Sequence, residues 1–580
     1  MHMLASKKSK AIIILVPLAI MSFLGAVCFA ACGDKNENYE QPIGYQYEIV
    51  GTKCKIIDCN LPSDMSLVVV PDNIDGYAVE SVFLDLKNLT SPNVSVVIPE
   101  GVRTIVSIQA SSVLDITLPS TVTDIWPQLF AEVHNISVSP YNDVYYVENK
   151  CLIERDTKTL VAGCCDSVIP SDGSVTAIAD GAFSYRKEIT AVVGENYEGI
   201  LPESGYKLTI PAVVTTLGEF FKNCSALEVV EIPLGAEWSG YSAFTGCSSL
   251  KSMSLPKCRP SLESRATSFS DFFGYDEDIP ASLEEITITD GNEIILSGVG
   301  NVKRIYIKNE ATSVGSFRRL KMLEYVELPE TVTTIGESAF ENCDSLTTIA
   351  LPPLVTDIEK RAFVGCDKLS EITLPQGLQS IGECAFLDCL SLVEIDIPDS
   401  VQVIGEGAFG GCSSLEQINV EINNAVYKSV DGALMNNNGA LLRATTAGII
   451  PEETSIIGAY AFSGLDIEDI IIPEGITSIG DSAFKDCDKL KSVTIGADVN
   501  YIGDCAFEGC DSLQTAVFAE PSGWTAHGWN WSDDIDNPTA HTTVDTADLS
   551  DPFTAALVLR LKKYYINQKQ GLYYRFFTRG

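Results

Sequence analysis

Leu346-Thr347-Thr348-Ile349-Ala350-Leu351-Pro352 returns as Leu369-Ser370-Glu371-Ile372-Thr373-Leu374-Pro375 and again as Leu392-Val393-Glu394-Ile395-Asp396-Ile397-Pro398, a strict step of 23 residues. Ala-Phe pairs ending at Phe340, Phe363, Phe386 and Phe409 keep the same step, and Phe317 extends the series backward. Phe221 to Phe244 and Phe484 to Phe507 repeat it, while Phe462 to Phe484 is 22. A fixed period of this length marks an array of stacked coils, because one coil cannot bury its apolar side alone and neighbours must share a core.

The unit follows from the alternation. Ile349 and Leu351 lie two apart and face one side of a strand, with Thr348 and Ala350 on the other. Proline lacks a backbone donor, so Pro329, Pro352, Pro375 and Pro398 mark where pairing stops. A run such as Val332-Thr333-Thr334-Ile335-Gly336 then leads to the Ala-Phe pair, and Gly336, Gly382 and Gly405 are expected to let this return turn tightly. The fold expected is a repeat solenoid, mainly β, each unit one strand and one short irregular or helical return. Residues 46–520 hold roughly 20 such coils.

Eight cysteines keep the period, three residues after a phenylalanine: Cys224, Cys247, Cys343, Cys366, Cys389, Cys412, Cys487 and Cys510. In an exported chain they could be a disulfide framework. Recurrence in consecutive coils favours a row of buried thiols packing as small apolar groups. Zinc would need close pairs converging on one point, which a single cysteine per coil does not provide.

Acidic residues number 78 against 39 basic ones, a balance that repels nucleic acid and anionic lipid. Lys7, Lys8 and Lys10 precede an apolar run from Ala11 to Ala31 that meets Phe29-Ala30-Ala31-Cys32-Gly33. This resembles a lipoprotein signal over residues 1–32 with Cys32 as the lipidated residue, and an uncleaved N-terminal anchor is the alternative. A polar tether fills 33–45. Either way the remainder is expected outside the cell and bound to the membrane at one end.

Inserts are expected near 139–168, 258–280 and 421–449. The first and third resemble each other, from Tyr141 to Leu160 and from Asn423 to Leu442, and rejoin the pattern at Ile169-Pro170 and Ile450-Pro451. The second reads as a loop with exposed aromatics, Phe269, Phe272, Phe273 and Tyr275. Residues 521–580, with Trp524, Trp529 and Trp531, read as a C-terminal cap or tail over the raw apolar end of the stack. The rival reading of these tryptophans is a sugar-stacking platform.

No catalytic residues are expected. Of four histidines, His134 stands beside no recognisable nucleophile motif, and neither a His-Glu-x-x-His pattern nor a phosphate-binding glycine loop occurs. Asp533, Asp534, Asp536 and Asn537 lack the spacing of a calcium loop and its late glutamate, so no metal or cofactor is expected. An enzyme hidden in an insert is the least favoured alternative.

Units such as Ile472-Pro473-Glu474-Gly475-Ile476-Thr477-Ser478-Ile479-Gly480-Asp481-Ser482-Ala483-Phe484-Lys485-Asp486-Cys487-Asp488-Lys489-Leu490 resemble the BspA-type leucine-rich repeat. The resemblance covers about residues 46–520 and implies a leucine-rich-repeat arc at the bacterial cell surface. It also implies adhesion to host proteins, matrix or other microbes, and brings no catalytic residues. The candidate binding surface is the outward strand face: Tyr325, Thr348, Glu371, Glu394 and Gln417 in one column, and Glu327, Ala350, Thr373, Asp396 and Asn419 in the next. A flat repeated face suits a protein or polymer better than a small molecule. The expected partner is a host or microbial surface protein or matrix, with a glycan as the alternative and no nucleic acid.

Overall fold

Short strands one period apart lie side by side when their inward residues share a core, and pairing here is parallel because each coil returns to the same starting edge. The computed structural model describes residues 10–12, residues 44–530 apart from 111–112, 127–132, 187, 196–198, 219–220, 239–241, 256–271, 274–278, 290–295, 297–298 and 309–310, and residues 541–545 and parts of 549–579. The chain gathers into two compact units, Met1–Glu284 and Glu285–Gly580. Among the described residues it makes about 18 turns of roughly 23 residues with almost no helix. The returns are therefore turns and not helices, and chain spent in the inserts lowers the count from the roughly 20 that the period alone implies.

In the second unit, Thr348–Ala350 pairs in parallel with Glu371–Thr373, Thr348 opposite Glu371 and Ala350 opposite Thr373. Glu394–Ile397 pairs likewise with Gln417–Val420. Ile349, Ile372, Ile395 and Ile418 are buried beneath them. Each coil also carries a second strand inside what the sequence alone assigns to the return. Ser313–Val314, Thr334–Ile335, Asp357–Ile358, Ser380–Ile381 and Val403–Ile404 form a five-stranded parallel sheet. Thus one coil is two strands and a corner.

The corner is built on Ala-Phe. Phe340, Phe363 and Phe386 each donate their backbone N–H to an alanine carbonyl of the next coil, Ala362, Ala385 and Ala408, at 2.7 Å. Their rings stack at 5.3 Å between Phe340 and Phe363 and 5.2 Å between Phe363 and Phe386, and the row continues to Phe409 at 5.5 Å. Left-handed residues stand two before and two after the phenylalanine: Ser338 and Asn342, Arg361 and Gly365, Cys384 and Asp388. Gly382, by contrast, has no positive φ, and a Cβ there would lie 2.5 Å from the Glu359 carbonyl carbon. Gly336 and Gly382 are needed for close approach of the neighbouring coil's backbone, and the tight turning falls to the residues beside phenylalanine. That corrects the expected role of these glycines.

The cysteines form a thiol ladder with a defined hydrogen bond. Cys343 donates to the Phe317 carbonyl at 3.3 Å, Cys366 to Phe340 at 3.2 Å, Cys389 to Phe363 at 3.2 Å and Cys412 to Phe386 at 3.1 Å. Cys487 and Cys510 do the same to Phe462 and Phe484. Each thiol thereby gives a buried corner carbonyl a hydrogen bond from the next coil, in most cases beside one from its own, as Phe340 accepts the Cys343 N–H at 3.2 Å. Burial pushes the Cys343 thiol up to about 12, which keeps it protonated as a donor.

The first unit repeats this scheme. Cys224 donates to the Phe183 carbonyl and Cys247 to that of Phe221, both at 3.1 Å. Phe183, which follows Ala182 in a further Ala-Phe pair, stacks on Phe221 at 5.8 Å. Phe272 and Phe273, expected in an exposed aromatic loop, are buried, with Phe273 6.4 Å from the Phe244 ring. They fill the inward position of a coil, whereas Phe269 and Tyr275 lie outside the described residues.

Both resembling inserts are three-stranded antiparallel meanders: Tyr145–Glu148, Cys151–Glu154 and Thr159–Gly163 in one unit, Tyr427–Val430, Ala433–Asn436 and Ala440–Arg443 in the other. A buried asparagine enters each. Asn142 donates to the Pro119 and Val122 carbonyls and accepts from the Val144 and Tyr145 N–H groups. Asn424 makes the same four bonds with Pro398, Val401, Val426 and Tyr427. Each meander coil carries a small residue where phenylalanine would sit, Gly163 or Ala444, whose N–H meets the Ala182 or Ala461 carbonyl. A buried arginine completes the repair. Arg186, at the thiol position of its coil, donates to Gly163 at 2.6 Å, and Arg443 reaches the Cys412 and Ser463 carbonyls at 2.7 and 2.8 Å.

Antiparallel strands close the ends. Gly44–Val50 pairs with Lys53–Asn60, and Lys10–Ile12 pairs with Gly44–Val50. The rest of the leader, Cys32 and the tether to 43 lie outside the described residues. No helix among the described residues is long and apolar enough to cross a membrane. At the other end Gln570–Arg579 pairs with Tyr501–Ile502, placing Thr578 opposite Tyr501 and Phe577 opposite Ile502.

Candidate binding face

Alternation on the longer strands turns isoleucine inward and leaves two outward columns. Tyr325, Thr348, Glu371, Glu394 and Gln417 are exposed, as are Ala350, Thr373 and Asp396, while Glu327 and Asn419 are partly covered. Pairing brings Glu394 beside Gln417 and Asp396 beside Asn419. Tyr325 instead lies beside Arg304, and Glu327 beside Tyr306. The face is zoned by charge, which the columns alone do not reveal.

Several carboxylates on the strand side have a cation one coil away. Arg304 meets Glu285 at 3.2 Å, Lys308 meets Glu327 at 2.6 Å, Lys489 meets Asp466 at 2.6 Å and Lys491 meets Glu468 at 2.7 Å. Between Lys368 and Lys428 the chain holds nine aspartates and glutamates and neither lysine nor arginine. Among the described residues, no ion pair joins Glu371, Glu394 or Asp396.

Amides take the place of cations there. Asn419 Nδ2 donates to Glu394 Oε1 at 2.6 Å and to Asp396 Oδ1 at 2.8 Å, and Gln417 Nε2 holds Asn419 Oδ1. Gln376 Nε2 donates to Glu421 Oε1 at 2.9 Å. Neutral donors orient the carboxylates without cancelling their charge. Gln376 and Glu421 were absent from the sequence-derived columns. The run without lysine or arginine was the signal that could have pointed to them.

At the opposite end of this sheet side, Tyr325 packs 5.9 Å from the Tyr306 ring, over which Lys308 sits at 5.2 Å. That zone is aromatic and locally neutralised. Trp524, proposed for sugar stacking, is 1% exposed, donates its indole N–H to the Glu520 carbonyl and meets the Phe518 ring edge-on at 5.4 Å. It is therefore core. The side chains of Trp529 and Trp531, and the run Asp533 to Asn537, lie outside the described residues. His134 is exposed, and no group of three metal-ligating side chains occurs among the described residues.

Six copies of the BspA type leucine rich repeat region match residues 204–316, 310–437 and 444–525. The chain belongs to the BspA-type leucine-rich-repeat family. Among solved structures, it is similar to a leucine-rich repeat protein from Bacteroides ovatus, at 17% identity over 82% of this chain and 94% of that one, with a TM-score of 0.32. A leucine rich cell surface protein from Faecalibacterium prausnitzii is 18% identical over 84% of this chain and 96% of that one, TM-score 0.19. The pneumococcal vaccine antigen PcpA is 15% identical over 82% of this chain and 80% of its own, TM-score 0.22. No curated protein matches the BspA-type chain.

Proposed function

We propose that this BspA-type protein is a surface-displayed binding protein, adhesin-like and not an enzyme, whose acidic strand face captures a cationic patch on a host or microbial protein. The single observation that carries this reading is the uncompensated zone: Glu371, Glu394 and Asp396 are exposed and in no ion pair among the described residues, Glu394 and Asp396 being held by the Asn419 amide, whereas Asp466 and Glu468 further along are ion-paired. Bringing a partner's lysines or arginines there gains attraction without first breaking an internal pair. Membrane-anchored display at the bacterial cell surface is supported by the basic and apolar leader ending at Cys32.

The test is capture by the full chain of proteins from host-cell or bacterial-surface extracts, compared with Glu371→Gln/Glu394→Gln/Asp396→Asn. Capture should fall by about tenfold or more in the triple variant and weaken as salt rises. Equal capture by both proteins, at low and high salt, would reject the acidic face.

A further inference from the structure

The strand that opens the stack is capped by a piece of the leader. Gly44–Val50 is the outer arm of an antiparallel hairpin with Lys53–Asn60, whose other side joins the parallel ladder at Tyr77–Leu86. Among the described residues its outer edge is met by Lys10–Ile12, which pairs with Tyr45, Gln46 and Tyr47. Glu48, Ile49 and Val50 extend past that cover and are exposed, Ile49 at 45% and Val50 at 49%. Lys10 to Ile12 belongs to the basic and apolar leader that ends at Cys32. A leader that is cleaved off, or held in the bilayer, does not cap this strand, so anchoring the protein vacates the edge.

A vacated edge with adjacent isoleucine and valine is a template for another strand. Its own sequence, Gly44-Tyr45-Gln46-Tyr47-Glu48-Ile49-Val50, is self-complementary. Paired antiparallel about Tyr47, it sets Gly44 against Val50, Tyr45 against Ile49 and Gln46 against Glu48. Tyr47 is buried and Tyr45 packs against the same core, so in the joint sheet the tyrosines stay inside while Gln46 and Glu48 stay outside. An aromatic residue then faces a β-branched one and an amide faces a carboxylate, both favourable cross-strand pairs. A shift of two residues one way opposes Glu48 to Glu48, and the other way leaves Ile49 and Val50 without partners. An odd shift turns one copy's tyrosines to solvent. The match is two-fold, which a second copy of this chain supplies.

We propose that two copies of the anchored protein join through Gly44–Val50, edge to edge and antiparallel about Tyr47, in a two-fold dimer that carries two acidic faces. This rests on the membrane-anchored display proposed above, because the edge opens only when Lys10–Ile12 leaves it. A seam of one strand pair is small for a dimer in free solution. Confining both copies to one membrane raises their effective concentration and offsets that, and two faces on one dimer raise avidity for a partner that repeats its cationic patch.

The test uses the full chain, exported by a bacterium and kept in its membrane, with Gln46→Cys and Glu48→Cys expressed separately and together, then treated with a small disulfide oxidant. Opposed residues have Cα atoms about 4.5–5.5 Å apart, within disulfide reach, whereas like positions stand on the diagonal beyond the limit of about 7 Å. The mixture should therefore give about fivefold more covalent dimer than either variant alone, with the parent chain setting the background. No dimer in the mixture, or equal yields from all three, overturns the dimer. Ala11→Cys/Gln46→Cys reads the leader, because these positions are opposed when Lys10–Ile12 caps the strand. It should form no link within one chain; such a link, found by mass spectrometry of an unreduced digest, places the leader on the edge and overturns the anchored reading with the dimer. An unshifted melting temperature establishes that the substitutions leave the fold intact.

Discussion

The coils around Glu371 to Asn419 and those around Asp466 to Val517 share a scaffold and differ in their surface. Both stack phenylalanine rings, at 5.2 Å between Phe363 and Phe386 and 4.9 Å between Phe484 and Phe507. Both bury a thiol that donates to the preceding corner, Cys389 to Phe363 and Cys510 to Phe484. Yet Asp466 and Glu468 are neutralised by Lys489 and Lys491, whereas Glu371, Glu394 and Asp396 answer only to amides and solvent. Inward rows are fixed by the need to fill a core one coil deep. Outward columns carry no such constraint and are free to be matched to a partner.

If the scaffold is common to both regions, Phe363→Ala and Phe484→Ala should be equally damaging. Each empties a fully buried ring position and should cost about 3–5 kcal/mol, read by denaturant titration. A large loss in only one would break the equivalence. Next in size, Gly382→Ala and Gly480→Ala should each cost about 1–3 kcal/mol, because a Cβ would press on the preceding coil's backbone in both. Melting temperatures measure this, and an unchanged value for either would place the close approach elsewhere.

A pH prediction separates internal from uncompensated carboxylates. Burial alone would raise the Glu341 carboxyl, but the Arg361 hydrogen bond at 2.9 Å, the Ser338 hydroxyl and the charges of Arg361 and Arg318 outweigh it and hold it below its ordinary 4.5. A depressed value stabilises the fold at pH above the ordinary range, and that contribution is lost as pH falls through the folded value. Glu341→Gln should therefore be less stable than the parent at pH 7, and the gap should narrow as pH falls through the depressed folded value of Glu341. A gap that does not narrow at all on acidification would show that the ion pairs are not its source. Smallest in stability, Thr373→Lys sets a cation in the column of Asp396 and should change unfolding by no more than about 0.5 kcal/mol while weakening partner capture severalfold. A stable variant that captures normally would blur the distinction between the two regions.

The inward rows were plain in the sequence because phenylalanine, cysteine and isoleucine recur where burial demands them. Thr334-Ile335 was not, since two residues are too short for alternation to register as a strand. Gly382 misled for another reason: glycine serves both positive φ and close approach, and only the neighbouring coil tells them apart. Arg186 at a thiol position puts a donor in place of a donor, which is legible only once the thiols are known to donate to the corner carbonyls. At the candidate face, alternation named Glu371, Glu394 and Asp396 directly. Their lack of compensation depends on which side chain lies one coil away, so it emerged from the structure.

Zero-length coupling of carboxylates to a captured partner's lysines, mapped by mass spectrometry, tests the central claim most directly. The acidic zone should supply the links, through Glu371, Glu394 and Asp396. Links confined to Asp466 and Glu468, or to carboxylates off the strand face, would contradict it.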